Sequence, residues 1–346
     1  MRRHSQFLVA CLAALGTAGC AAEVTEETTS IPAAAVADRP APIERGSTSR
    51  ERGVVWDVNR GEAITPNELR TRLGEADLVI LGEVADNPIH HARQAWLIAG
   101  LNPVGVAFEM VPQASERGIA AFREEGGRSG AIGPAIGWSR LGLPDWPIYR
   151  PVFEASVGAV ITGGRVGRRA IQTARREGAA AGYGPGAEEA GLTEAVPDER
   201  RQEIATALVT TLCTAPSLAE TGGLVEARRL VDMRLAEALL RARANGIGAR
   251  GIARGINPAE RPERSTNGPV RAVLIAGNDH ARTDVGVPVA LAARAPALDV
   301  AVLGQLERGE GATDARSFIA GQPYDFVWLS EPAPGDGASC ADTVDG

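Results

Sequence analysis

Lysine is missing altogether: the 36 Lys-plus-Arg positions of this 346-residue chain are all arginine. A bias of that kind reads as codon usage in a GC-rich genome. It is no nucleic-acid footprint, because 43 acidic residues bring the formal net charge to −7 and no basic stripe appears. Nucleic acid is therefore excluded as a partner. Long apolar runs are missing too. The run from Phe7 to Leu15 falls well short of the roughly 20 residues a membrane-spanning helix needs. There is no Walker loop and no serine-centred G-x-S-x-G elbow, and the histidine spacing fits none of the close-set zinc motifs. No internal repeat occurs. Aromatic residues make up 4% of the chain, with three tyrosines, Tyr149, Tyr183 and Tyr324. Only four histidines are present, and His4 lies in the leader.

What is present begins with that leader. Arg2, Arg3 and His4 precede the apolar run, and small residues follow up to Gly19-Cys20, the pattern of a secretory signal peptide over 1–20. Thr17-Ala18-Gly19-Cys20 resembles a bacterial lipobox with Cys20 as the acylated residue, although leucine is usual where Thr17 stands. Ordinary cleavage near Ala22 is the alternative. Either reading predicts an exported protein; lipidation predicts a membrane lipoprotein facing the periplasm of a Gram-negative-type bacterium, attached through lipid only. Residues 21–52 are rich in Ala, Pro, Thr, Glu and Arg without apolar periodicity, as expected of a disordered tether. One domain should then fill 53–332, followed by a tail over 333–346. With the leader and Cys20 set aside, Cys213 and Cys340 remain, and an oxidising compartment predicts a disulfide between them, with two free thiols as the alternative.

Within the domain, short apolar runs alternate with helical stretches. Strands are predicted at 78–81, 104–108, 157–162, 272–276, 300–303 and 326–329. Asn87 and Pro88 open a helix that Gly100 should close, and a basic helix is expected near 166–176. From Pro197 to Gly246 two helical patterns follow each other with no strand between them. The expected fold is therefore α/β: a mainly parallel sheet covered by helices on both faces, with an inserted helical subdomain over about 184–269.

Ligands of open α/β sheets bind beyond the carboxyl ends of the strands. Three predicted strands end in polar residues: Glu83 with His90 and His91 after the first, Glu109 after the second, and Asn278, His280 and Arg282 after the fourth. All three histidines of the mature chain fall there. Each has an ordinary reading as well: Glu83 as a helix cap, Glu109 as an ion-pair partner, His90 or His91 as hydrogen-bonded or exposed. Adjacent positions are about 100° apart around a helix, so only one of that histidine pair should face the cleft. Haem iron accepts His, Met, Cys or Tyr, and Tyr149 stands in an aromatic stretch where Trp138 and Trp146 can flank a porphyrin face. A divalent metal held by His90 or His91, His280 and Glu83 is the alternative, in a hydrolase.

At these residues the chain resembles a known family. Leu81-Gly82-Glu83-Val84-Ala85-Asp86-Asn87-Pro88-Ile89-His90-His91 is similar to the signature of the ChaN family of haem-binding lipoproteins. Ala107-Phe108-Glu109-Met110, Asp145-Trp146 through Pro151, Val225 through Met233, and Ala276-Gly277-Asn278-Asp279-His280-Ala281-Arg282 resemble its later segments in the same order. The resemblance implies haem binding linked to iron uptake, a tyrosine iron ligand, and a homodimer around the haem. Carried over, it points to Tyr149 as the iron ligand with His280 or His90 beside it. Arg150 or Arg282 would lower the phenol pKa, and Glu83 and Glu109 would orient the histidines. One position departs from the signature, where Ala85 stands in place of its first histidine.

Overall fold

The computed structural model describes residues 54–212, 218–253, 270–307 and 315–333. Cys20, Cys213 and Cys340 lie outside the described residues, as do the leader and the tether. The strands are β1 (Val55–Asp57), β2 (Glu62–Ile64), β3 (Leu78–Glu83), β4 (Gly105–Pro112), β5 (Val160–Arg165), β6 (Ala272–Gly277), β7 (Val300–Glu307) and β8 (Phe326–Ser330). They form one sheet in the order β2-β1-β8-β7-β3-β6-β4-β5. From β8 to β5 every neighbouring pair is parallel, while β1 runs antiparallel to both β8 and β2. Leu78 pairs with Ala272 and Glu83 with Gly277, so the first and fourth predicted strands lie side by side.

The helices are α1 (Pro66–Leu73), α2 (Pro88–Leu101), α3 (Glu116–Glu124), α4 (Ile132–Ala135), α5 (Trp146–Ala155), α6 (Arg168–Glu177), α7 (Ala179–Tyr183), α8 (Asp198–Leu212), α9 (Leu218–Ala253), α10 (Asn278–Ala281), α11 (Val287–Arg294) and α12 (Ala315–Ile319). They cover both faces, and the alternation of strand side chains sorts them. Val79, Leu81, Val106, Phe108, Val273 and Ile275 point into a core built with α1, α2, α3 and α5. Leu78, Ile80, Ala107, Leu274 and Val302 point the other way, onto α9, α11 and α12. Burial on both faces is why these strands read as unbroken apolar runs. The helices expected between the third and fourth parallel strands are α8 and α9, and Leu235, Ala238, Leu239 and Ala242 of α9 lie directly on the sheet.

Two of the boundaries that differ from expectation have a clear local cause. α2 runs through Gly100 and ends at Asn102, whose left-handed backbone (φ 47°) returns its N–H to Ile98 O. Asparagine tolerates that conformation better than most residues. At its start Asn87 is the cap, its side chain accepting from the Ile89 N–H. β5 begins at Val160, not Val157, because Gly158 (φ 82°) turns the chain and leaves Val157 73% exposed.

Where α9 crosses β4 no side chains separate the two backbones. A Cβ on Gly105 would meet Ala242 O at 2.1 Å, and one on Gly246 would meet Val104 O at 2.3 Å. Glycine at both positions permits this approach.

Candidate functional site

The carboxyl ends of β3, β4 and β6 lie side by side. They gather Glu83, Glu109 and the Gly277–Arg282 segment, and the start of α2 adds its histidines. These residues sort into a buried tier and an outer tier.

The buried tier centres on Glu83. Its Oε1 accepts from the Tyr149 hydroxyl at 2.5 Å and its Oε2 from Gln94 Nε2 at 2.9 Å. His91 lies against it, Nδ1 3.4 Å from Glu83 Oε2, and its ring sits 4.1 Å from that of Tyr149. The other His91 nitrogen faces Ala85 O at 2.9 Å. This contact uses the backbone carbonyl of Ala85, which any residue at that position would offer. Burial pushes the Glu83 carboxyl up, opposed by His91, Tyr149 and Gln94.

Tyr149 differs from the expectation drawn for it. It is 1% exposed, in a cluster with Trp138, Phe153 and Phe108. Burial, then Glu83, drives its phenol far above the ordinary range. The arginines expected to favour the anion point elsewhere: Arg150 pairs with Glu154 at 2.8 Å and Arg282 grips Asp284 through two bonds. In this arrangement Tyr149 is a hydrogen-bond donor inside the core. Trp138 is buried too, its indole N–H donating to Pro144 O, so it packs the core and flanks no open face.

His90 is also structural. The Val84 N–H donates to its Nδ1 at 3.0 Å, so Nε2 carries the proton toward Ser330 Oγ at 2.8 Å. Fully buried, with its pKa lowered to about 3 by burial and by Arg93 and His91, it ties the β3–α2 loop to β8 as a neutral group. Asn278 has a similar duty: its side chain exchanges two hydrogen bonds with the backbone of Gln305, locking the end of β6 to β7.

The outer tier contains His280, Glu109, Asp232 and Arg228. His280 Nδ1 lies 2.6 Å from Asp232 Oδ1, and Asp232 Oδ2 accepts from Arg228 Nε at 2.6 Å. Arg228 also donates to Asp279 O, closing the loop back to the histidine's own segment. Glu109 is held by the Gly277 N–H at 2.8 Å, with Oε1 standing 3.7 Å from His280 Nε2, beyond hydrogen-bond range. Among the described histidines only His280 keeps part of its side chain exposed, 18%. Burial works against its charged form, but Glu109 and Asp232 outweigh it and hold its pKa above the ordinary histidine value. In the neutral imidazole the arrangement fixes one tautomer, with the proton on Nδ1 toward Asp232 and the Nε2 lone pair on the side of Glu109. Carboxylates hold histidines this way at metal sites. Sequence reasoning missed Asp232, which sits on α9 far from any strand end. Its one signal is the Arg228–Asp232 pair, two charges four apart on an alanine- and leucine-rich helix. Among the described residues no three His, Cys, Asp or Glu side chains cluster as a metal-binding set, so the hydrolase alternative gains no support.

A family model described as haem-binding uptake, Tiki superfamily, ChaN matches residues 69–291, more than half of the chain. Among solved structures the chain is similar to one titled cofacial heme binding to ChaN of Campylobacter jejuni. That match has 16% identity and a TM-score of 0.57, covering 81% of this chain and 97% of the other. The type III effector HopBA1 also matches, at 13% identity and a TM-score of 0.40, over 77% of this chain and 93% of that one. A comparison with curated proteins gives no match.

Proposed function

Since this chain belongs to the haem-binding uptake family of the Tiki superfamily, ChaN type, we propose that it binds haem at the carboxyl edge of the sheet, with His280 Nε2 as the axial donor. The observation that carries this reading is the His280–Asp232 pair, which in the neutral imidazole holds the proton on Nδ1 and leaves Nε2 of this partly exposed side chain as the donor nitrogen. Haem iron takes an axial imidazole readily. The donor set fits: the chain supplies one oriented nitrogen, and Glu109 beside it. Tyr149, Glu83 and His91 form the floor beneath and keep the strand ends rigid. Titration of the full chain with ferric haem, followed at the Soret band, tests the reading. Saturable binding that falls at least tenfold in His280→Ala is expected; equal affinity in that variant would remove His280 from the site.

The finer proposals follow the sequence. The chain is exported, acylated at Cys20 and held on a periplasm-facing membrane surface by that lipid, where it serves iron uptake. Thr17-Ala18-Gly19-Cys20 supports the anchor, and mass spectrometry of the membrane fraction checks it. The similar C. jejuni structure shows cofacial heme binding to ChaN. Two copies of this chain, each offering one His280, would present two haems together, so haem addition should shift the mass in solution from monomer to dimer.

A further inference from the structure

Beside the last turn of β5, one strand over from Glu109, the sheet edge opens into a cavity of about 240 Å3 that the haem reading does not use. Gly163, Gly164, Arg165 and Gly167 line it from the β5–α6 segment, and Arg234 and Arg241 from α9. Three guanidinium groups around so small a space repel one another unless something of opposite sign lies among them. Two have carboxylate partners: Arg241 lies 3.2 Å from Glu116 and Arg234 3.2 Å from Glu237. Arg165 has none. It donates to the Leu141 carbonyl at 2.7 Å and is otherwise exposed.

The start of α6 adds charge of the same sign. Gly167 and Ala170 face the cavity, no side chain caps the helix, and its first turn carries Arg168 and Arg169 with no acid. Carboxylates normally occupy that position, where free N–H groups and the helix dipole are both positive. The guanidinium groups are also held in place. Arg234 stacks over the Tyr183 ring at 3.6 Å and donates to Tyr183 O, while Arg241 donates to Gly163 O. Fixed, planar donor forks suit the two oxygens of a carboxylate or phosphate.

We propose that this arginine-lined cavity binds an oxyanion, a carboxylate or phosphate group. It can arrive as a free small anion or as the propionate of a haem bound nearby. The proposal stands without the haem reading, because inorganic phosphate alone tests it. In chloride buffer, calorimetric titration of the full chain with inorganic phosphate and with succinate should show saturable one-to-one binding, weakened at least fivefold in Arg165→Gln. Gly167→Asp is the second variant. Its extended backbone (φ −67°) and the open space around its Cβ accept a side chain, so the new carboxylate should cap α6. It should weaken phosphate at least fivefold with no fall in melting temperature. Haem and its dimethyl ester separate the sources. Phosphate competition with haem, lost in Arg165→Gln and absent for the ester, assigns the site to propionate; phosphate binding that leaves haem affinity unchanged assigns it to a free anion. No saturable binding of either small anion, together with wild-type haem affinity in Arg165→Gln, would overturn the proposal.

Discussion

His280 and Asp232 stand 48 positions apart in sequence and 2.6 Å apart in the fold. The contact joins the end of β6 to the middle of α9 and, in the neutral imidazole, puts the proton on Nδ1. With His280 as the proposed iron ligand, it also makes haem binding a function of pH. Iron needs the neutral imidazole, whereas Glu109 and Asp232 favour the charged one. Haem affinity should therefore fall as pH drops through the raised pKa, with a midpoint above the ordinary 6.5. Asp232→Asn should move that midpoint down and lower affinity by about 10- to 100-fold, the range for lost carboxylate support at metal sites. Soret titrations across pH measure both effects; an unmoved midpoint in Asp232→Asn would separate the pair from the ligand.

Tyr149→Phe should leave the spectrum of the haem complex unchanged, because the phenol is buried and bonded to Glu83. Its cost should appear as stability. A buried carboxylate loses a donor, which costs about 1–3 kcal/mol. Urea unfolding of the variant measures that cost. Disappearance of a tyrosinate-to-iron band in the variant would restore Tyr149 as the ligand.

His90 predicts an acid limb in the stability curve. Its pKa lies near 3 in the folded chain and at 6.5 ordinarily, so below 6.5 the unfolded chain binds a proton that the folded chain refuses. The stabilisation is complete above pH 6.5 and drains away as pH falls toward 3. At about 1.4 kcal/mol per pKa unit the loss is on the order of 5 kcal/mol. Denaturant melts at stepped pH should show this slope in the wild type and a slope shallower by one proton in His90→Gln.

Gly105→Ala should destabilise the domain by about 1–3 kcal/mol or more, since its methyl group would enter the backbone of α9 at Ala242. Gly61→Ala and Gly105→Ala contrast usefully. Gly61 has open space around it and only a positive φ to strain, so thermal melts should rank Gly105→Ala as the more damaging change.

The six parallel strands were legible because burial on both faces makes each a continuous apolar run, as Leu78–Leu81 and Ala272–Ala276 illustrate. β1 and β2 were not. They have three residues each, and Glu62-Ala63-Ile64 is a partly exposed edge that carries no alternation long enough to read. The strand-end rule located Glu83, Glu109 and His280, because loops after parallel strands converge whatever the rest of the chain does. It did not locate Asp232, whose approach depends on how α9 lies across the sheet. Nor does a tyrosine's sequence context report burial. Tyr149 sits in α5 as an aromatic beside charged neighbours, and only the packing of α5 on α2 turns its hydroxyl inward to Glu83.

The backbone contact of α9 with β4 has one more consequence. Side-chain packing tolerates small adjustments, because rotamers absorb them. Backbone resting on backbone at Gly105–Ala242 and Val104–Gly246 has no such slack, so α9 has a fixed phase relative to the sheet. Asp232 and Arg228 inherit that phase at the His280 end, and Arg234 and Arg241 inherit it at the β5 end. Adding one residue to the helix between Asp232 and Ala242 would turn Asp232 by about 100° and carry its carboxylate off the imidazole. Chains of this fold that keep the two glycines should therefore vary in length outside that stretch of helix and not within it.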